Sequence, residues 1–245
     1  MKTAIVTGAS GGIGLAITKK LVKNGYFVIA QCNKNVNMLN ELREELSDFG
    51  LQEYIFPIKC NFNNKEEVEN FVNVIEKSFK HYDLVVNNAG IALYKLINET
   101  TLEEWDNIFN VNVKSAFITT NAVLGKMIEF QSGNIINISS IWGEKGGSLE
   151  VAYSASKSAL IGYTKALAKE IGPSEIRVNC ICPGVINTPM NARLTNEDMQ
   201  EIISNTPLNR IGSPSEIADL VEFLSSENSA FITGQIITVD GGFTL

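Results

Sequence analysis

Two side chains that exchange protons, Tyr153 and Lys157, lie four positions apart in the stretch Ala152–Ile171. If that stretch is a helix, the spacing puts both on one face, about one turn apart. A free tyrosine has a pKa near 10, and a neighbouring ammonium stabilises the phenolate and lowers that value. We therefore expect a phenol that passes a proton to or from a bound substrate. The spacing alone is common on helices, so this interpretation depends on the rest of the chain.

A glycine-rich junction near the N-terminus indicates a bound anion. The strand-like run Thr3–Thr7 leads into Gly8–Gly14, in the pattern Gly-x-x-x-Gly-x-Gly, and then into an amphipathic stretch. Glycines allow a tight turn and a close approach of the backbone to a diphosphate, while a helix N-terminus presents free N–H groups and a positive dipole end. The junction therefore predicts a dinucleotide site.

Short runs rich in Val, Ile and Phe alternate along the chain with longer amphipathic stretches. The apolar runs are mostly continuous, which is typical of strands covered on both faces. The alternation predicts a single α/β domain over residues 1–245, with right-handed crossovers and a parallel sheet of about seven strands between helix layers. The predicted strands are Thr3–Thr7, Phe27–Gln31, Tyr54–Pro57, Leu84–Asn87, Asn134–Ile138, Arg177–Cys182 and Ile236–Val239. The predicted helices are Gly12–Asn24, Val36–Phe49, Lys65–Lys80, Leu102–Phe130, Ala152–Ile171 and Ser215–Leu224.

One segment, Asn187–Pro207, does not fit this alternation. Its apolar periodicity is weak, and it lies between the sixth predicted strand and the last predicted helix. Segments at that place in such a domain cover the site, so we expect residues 187–207 to form a mobile substrate lid.

Composition and charge exclude several classes of function. The chain is 44% hydrophobic and 19% charged, with a net charge of −7 and no long basic run, which argues against a nucleic-acid partner. No apolar run approaches the roughly 18 residues of a membrane helix, and Met1 is followed almost directly by a strand, so we expect a cytoplasmic protein without a membrane partner. Four cysteines in no metal-binding spacing and one histidine predict no metal site.

The motifs together resemble the short-chain dehydrogenase/reductase family. They are the glycine pattern, the run Asn87–Gly90 and the pair Tyr153 and Lys157, in the family's order and separations, and the resemblance extends from Lys2 to Gly242. It implies a Rossmann-type doubly wound sheet with one extra strand. It also implies a homo-oligomer, and we expect a tetramer because two long helices carry apolar residues on more than one side.

The resemblance assigns four catalytic residues. Ser140, thirteen positions before Tyr153, matches the family's serine in preference to Ser139, and Asn112 matches its helix asparagine in preference to Asn110. The family's mechanism implies that the serine and tyrosine hydroxyls hold a carbonyl oxygen and that the tyrosine donates a proton. Lys157, with a water linked to Asn112, would then replace that proton.

The resemblance also implies a nicotinamide cofactor. The acidic position of NAD-dependent relatives is the neutral Cys32, and Lys34 follows as a partner for a 2′-phosphate, so we favour NADP(H) over NAD(H). Gly11 stands where many NADP-dependent relatives carry a cation. The expected cofactor contacts are Gly8, Ser10, Gly12, Ile13, Gly14, Asn33, Lys34, Asn61, Phe62, Asn88, Ala89, Gly90, Tyr153, Lys157, Pro183, Gly184, Ile186 and Thr188.

Within the family, the blocks Arg210–Ala218 and Ile232–Gln235 resemble bacterial 3-oxoacyl-[acyl-carrier-protein] reductases. The expected substrate is therefore a small carbonyl compound, a 3-oxoacyl thioester of fatty acid synthesis carried on acyl-carrier protein. Those enzymes place basic residues near the fifth strand and after the Tyr-Lys helix, where this chain has neutral ones. Lys126 and Lys169 lie about a turn from those places and are the substitutes that the sequence offers for gripping an acidic carrier.

Two alternatives stay open. The segments Ser139–Gly143 and Glu150–Ser154 resemble a bacterial branch that reduces 5-aminopentanone groups on elongation factor P, with Glu150 attracting the amine. The other alternative is a non-catalytic dinucleotide-binding regulator on the same fold, because fold alone does not fix function.

Overall fold

Seven parallel strands form one sheet in the computed structural model, which describes all 245 residues. The strand order is β3-β2-β1-β4-β5-β6-β7. The prediction of a Rossmann-type parallel sheet in a single domain is confirmed, and β4 and β7 have the predicted bounds. The strands are β1 (Lys2–Val6), β2 (Tyr26–Cys32), β3 (Ile55–Lys59), β4 (Leu84–Asn87), β5 (Gly133–Ile138), β6 (Ile176–Pro183) and β7 (Ile236–Val239).

Helices cover both faces of this sheet, and successive residues of a strand feed opposite cores. Ala4 and Val6 of β1 belong to one apolar cluster, while Ile5 between them belongs to the other. Full burial of a Val or Ile side chain stabilises the fold by about 1.5–3 kcal/mol. The helices are α1 (Gly12–Lys23), α2 (Val36–Ser47), α3 (Lys65–Ser78), α4 (Leu102–Phe109), α5 (Ser115–Phe130), α6 (Ile141–Lys145), α7 (Val151–Ile171), α8 (Asn196–Asn205) and α9 (Pro214–Ser225).

The chain reverses its direction of travel across the sheet between β1 and β4, which are neighbours. At such a switch point the loops leaving adjacent strands diverge to opposite faces and open a crevice at the carboxyl ends of the strands. The loops after β1, β4, β5 and β6 all leave from that edge. They carry the glycine turn, the Asn88–Gly90 turn, the serine pair and the segment after Pro183.

Three features of the helices differ from the sequence prediction, and the first is the short helix α6, which was not predicted. The predicted long helix Leu102–Phe130 is divided into α4 and α5 by a π-helical segment, Asn110–Lys114, which contains Asn112. The segment 187–207 contains helix α8, which the weak apolar periodicity did not reveal. A capping box between Thr195 and Asp198 starts that helix and was visible in the sequence. None of the helices combines the length and the apolar character that crossing a bilayer requires.

Candidate active site

The glycine turn after β1 forms a cradle of unused backbone donors. Gly8 has φ +63°, a conformation that side chains disfavour, and a Cβ on it would lie 2.8 Å from the Cα of Ala89. At the start of α1, Gly11 has no capping side chain, and the first turn has no acidic residue. The N–H groups of Gly12 and Ile13 donate to no acceptor within the chain. These free donors at a helix N-terminus suit the diphosphate of a dinucleotide.

Two polar side chains that the sequence analysis did not single out hold this turn and the neighbouring turn after β4 in place. Gln31 Oε1 accepts a hydrogen bond from the Gly8 N–H at 2.9 Å, and its Nε2 donates to the Cys60 carbonyl at 2.7 Å. Thr7 Oγ1 accepts from the backbone N–H groups of Asn88 and Ala89, both at 3.0 Å. The signal for them was a polar residue within an otherwise apolar strand.

Asn88 was predicted to contact the cofactor, and its side chain also shapes the cradle. Its Nδ2 donates to the carbonyl oxygens of Thr7 and Gly8, at 3.0 and 3.1 Å. The turn after β4 is therefore locked to the turn after β1, and the two move as one wall of the crevice.

The residues predicted to lie beside the adenosine of the cofactor differ in their exposure and in their contacts. Asn33 and Lys34 are exposed just beyond β2, whereas Cys32 is fully buried. Asn61 Oδ1 accepts a hydrogen bond from the Asn63 N–H at 3.0 Å, which shapes the loop after β3. The Phe62 ring lies in the core, edge-on to Phe71 at 5.8 Å, so only its backbone faces a ligand.

The segment after β6 packs against the same cradle. A Cβ on Gly12 would lie 2.7 Å from Cγ2 of Thr188, and one on Gly184 would lie 2.7 Å from Cβ of Asp240. Ile186 is buried between them in sequence, and its carbonyl accepts from Asn191 Nδ2 at 2.7 Å. Thr188 therefore lies against the glycine turn, whereas Gly184 packs against Asp240 and Pro183 ends β6 beside Val239 of β7.

Ser140 and Ser139 have distinct surroundings. Ser139 Oγ donates to the backbone carbonyl of Lys157 at 2.8 Å and so faces helix α7. Ser140 caps α6, where its Oγ accepts from the Trp142 N–H at 3.2 Å. The Ser140 side chain also lies close enough to the Tyr153 phenol to lower its pKa. Because the Ser140 oxygen accepts from the backbone, its own hydrogen stays free to donate towards the phenol side.

Lys157 and Asn112 are both buried beside the turn after β4. Lys157 Nζ donates to the Ile138 carbonyl at 2.8 Å. Asn112 Nδ2 donates to the Ile91 carbonyl at 3.0 Å and to Ser156 Oγ at 2.9 Å, while its Oδ1 accepts from the Ile91 N–H at 2.8 Å. Both amide hydrogens are thus used, and one lone pair of Oδ1 stays available for a relay water.

Because Gly90 has no side chain, Lys157 and Asn112 can both approach the backbone at the end of the Asn88–Gly90 turn. A Cβ built there would lie 3.1 Å from Lys157 Nζ and 3.5 Å from Asn112 Oδ1. The ammonium and the amide therefore meet at the end of the Asn88–Gly90 turn, which the Asn88 side chain fastens to the glycine cradle.

The pKa of Tyr153 is raised in the folded chain, whereas the sequence analysis predicted that Lys157 would lower it. Burial raises the pKa of Tyr153 to about 12, against a smaller lowering by the nearby Ser140 side chain. Burial also lowers the pKa of Lys157 to about 8. The ammonium is directed at the Ile138 carbonyl and lies 5.7 Å from the Tyr153 ring centroid, so desolvation outweighs its field. The phenol consequently holds its proton at neutral pH.

An ion pair that the sequence analysis missed borders the site. The Glu150 carboxylate is buried, and its Oε1 lies 3.2 Å from the Arg193 guanidinium. Arg193 in turn lies over the ring of Tyr94, 4.0 Å from its centroid. Beside this pair is a cavity of about 380 Å³ with both apolar and polar walls. Its lining residues are Tyr94, Arg193, Leu194, Asp198, Glu201, Ile202, Asn205 and Phe243.

Known proteins resemble this chain over its whole length. A family model described as enoyl-(acyl carrier protein) reductase matches residues 8–244. The 3-oxoacyl-[acyl-carrier-protein] reductase FabG of Thermotoga maritima is 37% identical over 244 residues, which are 100% of this chain and 98% of that protein.

Solved structures agree with that resemblance. The crystal structure of a 3-oxoacyl-[acyl-carrier protein] reductase from Brucella melitensis has a TM-score of 0.91 and 36% identity, over 100% of this chain and 91% of that one. A putative NAD(P)-dependent gluconate 5-dehydrogenase from Beutenbergia cavernae, solved with bound NADP, has a TM-score of 0.92 and 31% identity, over 99% and 96% of the two chains.

Proposed function

The chain belongs to the short-chain dehydrogenase/reductase family, and from that membership we propose that this oxidoreductase reduces a ketone to a secondary alcohol with NADPH. The observation that carries the proposal is the meeting of Ser140, Tyr153 and Lys157 at the carboxyl edge of the sheet, beside a backbone cradle for a diphosphate. The proposed substrate is a 3-oxoacyl thioester, as in the ketone-reducing step of fatty acid synthesis.

Each catalytic side chain has a distinct task in this proposal. When bound, the nicotinamide cofactor supplies the hydride that reaches the carbonyl carbon. The hydroxyls of Ser140 and Tyr153 donate hydrogen bonds to the carbonyl oxygen and stabilise its growing negative charge. Tyr153 gives its proton to that oxygen, and its pKa of about 12 keeps the proton in place until then. Lys157, with a water held by Asn112, replaces the proton.

Of the two lysines that the sequence offers for binding an acidic acyl-carrier protein, one is available. Lys126 is engaged elsewhere, because its ammonium donates to the Glu76 and Phe79 carbonyls at the end of helix α3. Lys169 is exposed on α7 and stays available to an acidic carrier. We propose that a carrier-bound substrate docks near Lys169, against an overall charge of −7 that disfavours an acidic partner.

The substrate proposal is tested by following NADPH oxidation with acetoacetyl-carrier protein and with acetoacetyl-N-acetylcysteamine. We expect turnover of both, with the carrier form preferred at low ionic strength. A Lys169→Glu variant should lose the preference and keep the turnover of the small thioester, and Lys65→Glu, an exposed lysine on α3, is the matched control. Failure of the purified enzyme to reduce either compound would contradict the proposal.

A second candidate is the reduction of an aminoketone, such as the 5-aminopentanone group on elongation factor P. It is favoured by the Glu150 carboxylate, which is buried close enough to Tyr153 to raise the pKa of that phenol. A cationic amine that displaces Arg193 would pair with this carboxylate. Turnover of a 5-aminopentanone-modified protein, without turnover of acetoacetyl thioesters, would select this candidate. Tight NADPH binding without turnover of any carbonyl compound would instead select the non-catalytic regulator.

The preference for NADPH over NADH is proposed to depend on Lys34. This side chain is exposed at the end of β2, next to the neutral Cys32, where a 2′-phosphate would find a cation and no repelling carboxylate. We expect Lys34→Gln to weaken NADPH binding about 10-fold, as the loss of one charge-assisted hydrogen bond, and to leave NADH binding unchanged. Fluorescence titration with both cofactors measures this. An NADH affinity above that for NADPH in the unmodified enzyme would contradict it.

Three further expectations stay predictions. We propose a homotetramer, which is supported by exposed apolar side chains on the long helices, including Leu102, Phe117 and Val151. We propose that residues 187–207 act as a substrate lid, since Arg193 and the start of helix α8 form one wall of the cavity. The cytoplasmic location also stays a prediction.

A further inference from the structure

Glu150 occupies an unusual place for a carboxylate. It immediately precedes helix α7, three positions before Tyr153, and its backbone carbonyl accepts from the Ser154 N–H at 2.8 Å. Its side chain is only 8% exposed. A Cβ on Gly147 would lie 3.2 Å from its Oε2, so the loop before α7 closes over the carboxylate. A buried carboxylate with no compensating charge is strongly disfavoured, so Glu150 needs a positively charged partner.

That partner comes from a distant part of the chain. Arg193, 43 positions further on, donates from Nη2 to Glu150 Oε1 at 3.2 Å, and its planar group lies over the Tyr94 ring. Arg193 itself is 40% exposed and belongs to the segment 187–207. One guanidinium thus connects three elements: the loop after β4, the start of α7 and the segment after β6.

Few other charges face the Glu150 and Tyr153 pair. Lys157 lies one turn along α7 and donates to the Ile138 carbonyl. Lys95, whose N–H donates to the Leu149 carbonyl, directs its ammonium to Glu104. Glu144 accepts from Thr238. The titratable and charged groups on the elements packed around the pair and its Arg193 partner are, besides Arg193 itself, Tyr94, Lys95, Glu144, Lys145, Lys157, Cys182, Asp198 and Glu201.

We propose that Arg193 is a positioning residue that neutralises Glu150 beside Tyr153, and so sets the pH range in which the phenol exchanges its proton. When the guanidinium is seated, the carboxylate is compensated, and the phenol can release its proton more easily. When the guanidinium leaves, the bare carboxylate opposes the formation of a second negative charge on Tyr153. The inference rests on the proposed catalytic role of Tyr153, and it links the position of the 187–207 segment to the chemical step.

The test uses the reverse reaction, in which the enzyme oxidises a neutral alcohol, 3-hydroxybutyryl-N-acetylcysteamine, with NADP⁺ as the hydride acceptor. The alcohol proton passes to the Tyr153 phenolate, and the products are the ketone, NADPH and a proton. The rate therefore rises with pH as the phenol ionises, and the substrate has no titrating group of its own. The position of this rise is compared in the unmodified enzyme and its variants.

Four variants separate the contributions. Arg193→Met should move the rise to higher pH by about one pH unit, the size expected for one nearby charge in a partly buried site. Arg193→Lys keeps the cation and should restore most of the original position. Glu150→Gln should move the rise to lower pH. In the double variant no bare carboxylate is left beside Tyr153, so the rise should lie at lower pH than in Arg193→Met alone and close to its position in the unmodified enzyme.

Tyr153→Phe makes the two proposals distinguishable. If Tyr153→Phe is inactive and Arg193→Met keeps the original pH profile, the inference about Arg193 is wrong and the role of Tyr153 stands. If Tyr153→Phe keeps its activity, Tyr153 is not the proton donor and the proposed function is wrong. Arg193 is largely on the surface, so its variants keep the core intact even where Glu150→Gln does not fold.

Discussion

Replacing Tyr153 by phenylalanine is expected to reduce the turnover of a ketone at least about 100-fold, within the usual range for the loss of a general acid. The variant removes one oxygen from a ring that is buried in helix α7 and keeps the ring itself. No other hydroxyl of this site lies both beside the Ser140 side chain and one turn from Lys157. Single-turnover measurements with NADPH report the loss in the chemical step directly.

Tyr163→Phe is the matched control for this variant. Tyr163 lies ten positions further along the same helix, is half-buried, and has a hydroxyl side chain, Thr120, near enough to lower the pKa of its phenol. Its loss should cost about 1 kcal/mol of stability without affecting turnover. NADPH affinity should be nearly unchanged in both variants. A Tyr153→Phe enzyme that works at the rate of the Tyr163→Phe control would remove the phenol from the mechanism.

The sheet was predictable because its strands are continuous apolar runs, a local pattern that survives in any one sequence. The turns at its carboxyl edge were predictable for the same reason, since glycines such as Gly8 and Gly14 are needed wherever backbone meets backbone. Helix α8 was missed because it is only 10 residues long and none of them is buried, so no extended apolar stripe marks it in the sequence. Only its capping box indicates a helix in the sequence.

Pairings between distant positions were not predictable. The Glu150–Arg193 pair joins residues 43 positions apart, and Lys126 reaches the end of helix α3 across 47 positions. The direction of the Tyr153 pKa change was also misjudged, because spacing along a helix reveals the neighbour but not how far both groups are buried. In each case the missing information is the environment of a charged group, which only the folded chain defines.

Replacing Gly14 by alanine should reduce the free energy of unfolding by about 3 kcal/mol, the upper part of the usual range for overpacking. The new Cβ would lie 2.2 Å from the Gly8 carbonyl oxygen and 2.9 Å from the Cα of Ala9. Both are backbone atoms, so helix α1 has to move away from the turn, and the donors of the diphosphate cradle move with it. We therefore also expect NADPH binding to weaken at least about 10-fold, since a displaced donor loses a charge-assisted hydrogen bond.

Gly125→Ala is the control that isolates this contact. Gly125 also lies in a helix, α5, but nothing lies within 4 Å of the Cβ position. Alanine there should raise the free energy of unfolding by about 0.5–1 kcal/mol, because it restricts the unfolded chain more than glycine does. Urea denaturation and NADPH titration of the two variants measure both effects. If Gly14→Ala unfolded at the same urea concentration as the unmodified enzyme and bound NADPH equally well, helix α1 would not depend on that close approach. The proposal that the glycine turn is a fixed cradle for a diphosphate would then be wrong.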